Sequence, residues 1–196
     1  THQLSQVLDS LGVSADIPLD EHPAPASDEI QEVAHAVTGK VKEAAEHFQR
    51  PVGDPHVYFQ LGYVAYGNQE YQAAIDRYTE AIQLDPDLSK AYYNRGTIYV
   101  TLGQHQQAIE NYDKAIHLEP DNVSIYIDRG LAYSDLGQYQ RAIEDYDKAI
   151  QLEPDNASLY SDRGLAYSCL SQHQQAIQDY DKAIHLKPSV IRYSNR

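Results

Sequence analysis

The chain has 196 residues, with 29 Asp plus Glu against 15 Lys plus Arg, a formal net charge of -14. That balance argues against nucleic acid, which needs a basic face opposite its phosphates, and against an anionic membrane surface. A single cysteine, Cys169, allows neither an internal disulfide nor a thiolate zinc cluster, and points to a reducing, cytoplasmic setting.

No apolar run approaches the length of a membrane span, so no membrane insertion is expected. The first residues lack the basic leader and long apolar core of a signal peptide, and the initial Thr fits a native start exposed by removal of Met. Leu4, Val7, Leu8 and Leu11 form a short stripe, so residues 1–14 are read as a small amphipathic segment. Residues 15–27, "ADIPLDEHPAPAS", read as a Pro-rich acidic linker. Residues 28–50 open with Ser-Asp signals and carry Ile30, Val33, Val37, Val41, Ala44 and Phe48 on one face. A single amphipathic helix is expected there, either capping the first repeat or docking a partner.

From residue 55 the chain repeats itself about every 34 residues. Ala74, Ala108, Ala142 and Ala176 fall in register, as do Tyr78, Tyr112, Tyr146 and Tyr180. Gly62, Gly96, Gly130 and Gly164 form another column, and Pro86, Pro120, Pro154 and Pro188 a fourth. The units are 55–88, 89–122, 123–156 and 157–190, with a truncated tail at 191–196. Each unit reads as two helices. Gly103 and Gly137 stand where a first helix turns, and Pro120 and Pro154 where a second helix must stop. Gly96 and Ala108 are small where the helices cross, with Tyr filling the space between. The last unit has no full polar capping helix after it, so self-association through the C-terminal end is an expectation.

These columns closely resemble the tetratricopeptide repeat family, of a bacterial type common in cyanobacterial arrays. The resemblance implies an all-α fold, a right-handed α-solenoid of four helix-turn-helix repeats, with a concave groove lined by the first helices. It implies a protein–protein interaction scaffold or assembly factor that holds a partner segment. By analogy, similar cyanobacterial proteins assist assembly of photosystems. A self-assembling structural protein, or a regulatory region of a larger protein, is the alternative. The groove positions it implies are Phe59, Tyr63 and Tyr66 in unit one, and Lys90, Tyr93, Asn94 and Thr97 in unit two. Unit three supplies Ile127, Asp128, Leu131 and Asp135; unit four supplies Asp162 and Leu165. The expected partner is a protein or peptide with a basic or mixed polar and apolar segment.

The family's co-chaperones clamp acidic chaperone C-termini with Lys, Asn, Asn, Lys and Arg. In units one to three those places hold Phe59, Tyr63, Asn94, Ser124 and Asp128, and in units two to four Tyr93, Thr97, Asp128, Ser158 and Asp162. Acidic groove residues repel a carboxylate tail, so such a partner is not expected.

The string "DRGLAYS" occurs verbatim at 128–134 and 162–168. Its Arg stands where the family usually has Leu. Unit one has Leu61 with Thr79 on its second helix; units two to four pair Arg95, Arg129 and Arg163 with Asp113, Asp147 and Asp181. This covariation predicts three ion pairs, each within one repeat, and rejects pairing with the preceding repeat because Arg95 would then face Thr79.

Neither a phosphate-cradling loop nor a nucleophile elbow is present in the sequence. The nine His residues are dispersed by the repeat and include no His-x-x-x-His pair. No cofactor, no metal and no enzymatic activity are expected.

Overall fold

A computed structural model describes residues 53–187. The expected segments 1–14, 15–27 and 28–50, and the tail 191–196, lie outside the described residues. Among the described residues there are eight helices and no strand. They are α1 (Pro55–Gly67), α2 (Tyr71–Leu84), α3 (Ser89–Thr101), α4 (His105–Leu118), α5 (Val123–Asp135), α6 (Tyr139–Leu152), α7 (Ala157–Cys169) and α8 (His173–Leu186). The chain divides into two compact units, Thr1–Ile98 and Tyr99–Arg196, the division falling within α3.

Punctuation of the helices obeys backbone chemistry. Asp54 caps α1 by accepting from the His56 N–H at 2.9 Å, with Pro55 just inside, where a missing N–H matters least. Helices α4 and α6 stop at Leu118 and Leu152, ahead of Pro120 and Pro154. Proline disfavours helical geometry in the residue before it and offers no donor to continue the ladder. The turns inside the pairs need one residue in the left-handed region. Gly103 and Gly137 supply it at φ +69° and +70°; Gln69 and Ser171 adopt the same geometry at 62° and 60° despite carrying side chains.

In the first unit, α1 packs on α2. Phe59 stacks obliquely on Tyr78 at a centroid separation of 5.5 Å, and a Cβ on Gly62 would come within 2.8 Å of the same ring. The missing side chain is therefore what lets the two helices approach. Burial pushes the Tyr78 hydroxyl well above the usual tyrosine range, although Asn94 Nδ2 donates to it at 3.2 Å.

In the second unit, α4 packs on α5, α5 on α6, α6 on α7 and α7 on α8. Ala142, Ile143, Tyr146 and Ala166 form one buried cluster, and Tyr126, Ala149 and Leu159 another. The Gly–Tyr contact recurs: a Cβ on Gly130 would meet Tyr146 at 2.7 Å, and one on Gly164 would meet Tyr180 at 2.9 Å. Tyr126 and Tyr160 each donate their hydroxyl to the carbonyl of the proline six residues earlier, Pro120 and Pro154, both at 2.9 Å. Their rings thus fill the core while the hydroxyl fixes the turn that enters the helix.

Candidate functional site

The duplicated Asp-Arg-Gly organises the charged chemistry of the second unit. Arg129 rises from α5 with its guanidinium flanked by the rings of Tyr126 and Tyr133, at 5.8 and 5.9 Å. Its Nε and Nη2 donate to the two oxygens of Asp145 at 2.9 and 2.5 Å, and its Nη1 donates to Asp113 at 2.6 Å. Arg163 repeats the arrangement one repeat on: Nε and Nη2 reach Asp179 at 2.8 and 2.6 Å, and Nη1 reaches Asp147 at 2.5 Å. Asp145 and Asp179 are buried, whereas Asp113 and Asp147 are open to solvent at their side chains. Each arginine therefore bridges a buried carboxylate of its own repeat and a solvated one of the preceding repeat.

This corrects the pairing expected from covariation. Asp147 belongs to Arg163, and Asp113 to Arg129. In the first unit Arg95 Nη1 donates to Thr79 Oγ1 at 2.9 Å, the contact that covariation rejected; Thr79 in turn donates to the Ile75 carbonyl at 2.7 Å. Among the described residues Asp181 has no ion pair. The physical reason is that α5 packs on both α4 and α6, and α7 on both α6 and α8, so a five-donor guanidinium reaches both neighbours. The second carboxylate column, Asp145 and Asp179, lies outside that covariation; it is signalled in the sequence by "EDYD" and "QDYD", two acids two residues apart. For Arg129, burial disfavours the charge, but the hydrogen bonds to Asp145 and Asp113 outweigh it and hold the group above its ordinary value. Burial raises the Asp145 carboxyl, with the Arg129 hydrogen bonds pulling against it.

The expected groove residues divide by exposure. Phe59 is buried against Tyr78 and belongs to the core rather than to an open face, because its ring packs onto the Tyr78 ring. Tyr63 is half-buried, and Tyr66 is half-buried with its ring 6.0 Å from that of Tyr71. Lys90, Tyr93, Asn94 and Thr97 are all half-buried; Asn94 is engaged with Tyr78, and Thr97 donates to the Tyr93 carbonyl at 3.2 Å. In the second unit Ile127 packs against the Tyr126 cluster, and Asp128 is half-buried. Leu131 and Leu165 stand out on α5 and α7, 43% and 59% exposed. Asp135 is exposed with its carboxylate 3.5 Å from His105 Nδ1, and that nitrogen, although buried, has no hydrogen-bond partner.

Asp162 is half-buried on α7, one turn before Leu165, and burial alone raises its carboxyl above the usual range. The Tyr146 hydroxyl, 3.5 Å from Ser134 Oγ, is pushed up to about 12 by burial, with the carboxylates of Asp162 and Asp135 adding to it. Cys169 is exposed at the end of α7. Among the described residues there is no cluster of three potential metal ligands, and no helix is long and apolar enough to cross a membrane.

The comparisons with known proteins agree with this geometry. Solved structures share the fold at low identity. "Crystal structure of MamA protein" aligns with a TM-score of 0.73 and 23% identity, covering 86% of this chain and 90% of that one. MamA 41-end from Desulfovibrio magneticus RS-1 gives 0.71 and 22%, covering 97% and 94%. YrrB, described as a TPR protein with an unusual peptide-binding site, gives 0.70 and 20%, covering 83% and 81%. No curated protein matches. Models of the TPR repeat match residues 56–103, 96–137 and 130–168, and a tetratricopeptide repeat model matches 157–190. With more than half of its length matched and an all-α solenoid of paired helices as its fold, the chain belongs to the tetratricopeptide repeat family.

Proposed function

We propose that the protein is a non-catalytic interaction scaffold or assembly factor that holds a segment of a partner protein against the open faces of its first helices. The observation that carries this is the contrast within α5 and α7. Each buries Gly, Ala and Tyr toward its neighbours, yet each presents a leucine, Leu131 or Leu165, to solvent beside a carboxylate. Exposed leucines recurring at one repeat position describe a docking surface better than scattered surface residues do. The peptide-binding site named for YrrB supports the same kind of use. A cytoplasmic location fits the single unpaired cysteine. The acidic face also disfavours an acidic chaperone C-terminus, and such a peptide should show no micromolar binding.

Affinity capture from the source organism, comparing the native chain with Asp128→Lys/Asp162→Lys, tests the reading. A partner held by the native protein and lost by the folded variant is the expected result. Equal capture by both would leave these carboxylates as a solubilising surface only.

A second reading rests on α8. Ile177 and Ile184 are 59% and 62% exposed at positions that are covered on earlier helices. Self-association through this face would show as mass increasing with concentration in light scattering, and a strictly monomeric species at high concentration would dismiss it.

A further inference from the structure

Asp162 combines three properties. It is half-buried, so its carboxylate has lost part of its hydration. Among the described residues no hydrogen bond and no cation reaches it, in contrast to the buried carboxylates Asp145 and Asp179, each gripped by an arginine. The arginine next to it in sequence, Arg163, is engaged by the rings of Tyr160 and Tyr167 and by the carboxylates of Asp179 and Asp147. No compensation therefore comes from that side chain.

The surroundings of Asp162 describe what would compensate it. Leu165 lies one helical turn further along α7 and is largely exposed, and Leu131 occupies the equivalent place on α5. Asp162 is the carboxylate of this stretch, half-buried one turn before an exposed leucine. An incoming group must bring positive charge to the carboxylate and apolar surface to the leucines. A lysine or arginine side chain does the first through its head and part of the second through its stem. An aliphatic neighbour in the same peptide completes the apolar contact.

We propose that the face of α5 and α7 around Asp162, Leu165 and Leu131 takes a cationic, aliphatic-bearing peptide segment of a partner protein, with a lysine or arginine seated on Asp162. This deepens the scaffold reading and rests on it. It also separates this face from the equivalent place in the first unit, where Asn94 stands in register with Asp162 and spends its amide on the Tyr78 hydroxyl. One array thus carries a cation seat in one part and a neutral, self-satisfied position in another.

The test uses the full chain and a labelled twelve-residue peptide, acetylated and amidated, built from four copies of Leu-Lys-Ser. Matched peptides carry Gln or Glu in place of every Lys. Fluorescence anisotropy is measured at low and moderate salt for the native chain, Asp162→Asn, Leu165→Ser and Asp155→Asn, the last removing an exposed acid at the turn before α7. Thermal melts confirm that each variant is folded.

The Lys peptide should bind, weakening about five- to tenfold with Gln, with Asp162→Asn and with Leu165→Ser, while Asp155→Asn changes nothing. Three results would overturn the proposal: undetectable binding of the Lys peptide at millimolar protein, equal binding of the Gln peptide, or equal loss in Asp155→Asn and Asp162→Asn. None of these would remove the scaffold reading, which is tested separately by capture of a natural partner and its loss in the charge-reversed variant.

Discussion

Helices α6 and α8 have nearly the same sequence, "YQRAIEDYDKAIQL" and "HQQAIQDYDKAIHL", and different surroundings. On the side facing its own first helix each is closed: Ala142 and Ala176, Asp145 and Asp179, Ala149 and Ala183 are all buried. On the other side they part. Ile143 is 2% exposed and Ile177 59%; Tyr146 is 1% exposed and Tyr180 36%. The difference is α7, which packs on α6, whereas no described helix comes after α8. Burial in this fold is a property of the neighbour as much as of the residue, as one-dimensional stacking requires.

The largest expected effect sharpens the shared side. Arg129→Met strands the Asp145 carboxylate and should destabilise by about 3–5 kcal/mol in urea unfolding. Arg163→Met should cost about as much, because Asp179 is equally buried. Asp113→Asn, at the solvated end of the same bridge, should cost under about 1 kcal/mol. If Arg129→Met and Asp113→Asn were equal, the buried arm would carry no special weight.

The divergent side predicts unequal pairs. Ile143→Ala should cost about 2–4 kcal/mol and Ile177→Ala under about 0.5 kcal/mol; equal losses in urea unfolding would mean that something covers α8 in solution. Gly130→Ala drives a Cβ into an enclosed Tyr146 ring and should cost about 1–3 kcal/mol. Gly164→Ala should cost less, because Tyr180 has room to swing outward, and paired thermal melts of the two variants measure the gap. Ser171→Gly relieves a left-handed residue and should stabilise by about 1 kcal/mol, the reverse of Gly137→Ser, again by thermal melting.

The smallest effect concerns Asp162. Its folded-state carboxyl is raised by burial, so its charged form opposes folding above its folded-state range. Protonation relieves that opposition as pH falls through the range. Asp162→Asn should therefore stabilise slightly, within about 0.5 kcal/mol at neutral pH. The gain should shrink toward acid in melts recorded across pH, and a gain that grows toward acid would contradict the assignment.

Much of the fold is legible in the sequence because the repeat fixes what one helix cannot. Gly62, Gly130 and Gly164 are readable as crossing points from their column alone, and the Tyr rings that fill those crossings lie where the columns put them. Leu131 and Leu165 are placed by the family resemblance rather than by a column, since the matching places in the first two units hold Tyr63 and Thr97, and both leucines are exposed. What escapes the sequence is reach. Covariation compares one column with one column, and an arginine that serves two carboxylates breaks that assumption. Phe59 escapes differently: an aromatic side chain at a groove position can rotate into the core, and here Tyr78 receives it. The Tyr126 and Tyr160 hydroxyls escape because their acceptors are main-chain carbonyls, which have no sequence signature beyond the spacing to proline.

The double grip of Arg129 and Arg163 bears on how such a chain can lengthen. If residues 123–156 were copied and inserted after Asn156, the copied arginine would find Asp147 behind it and its own copy of Asp145 beside it. Arg163 would find the copied Asp147, and no charge would be orphaned at either seam. The joint is closed under duplication. A pattern with that property can be multiplied by a single genetic event without a compensating substitution, which gives a physical basis for seven residues that recur unchanged.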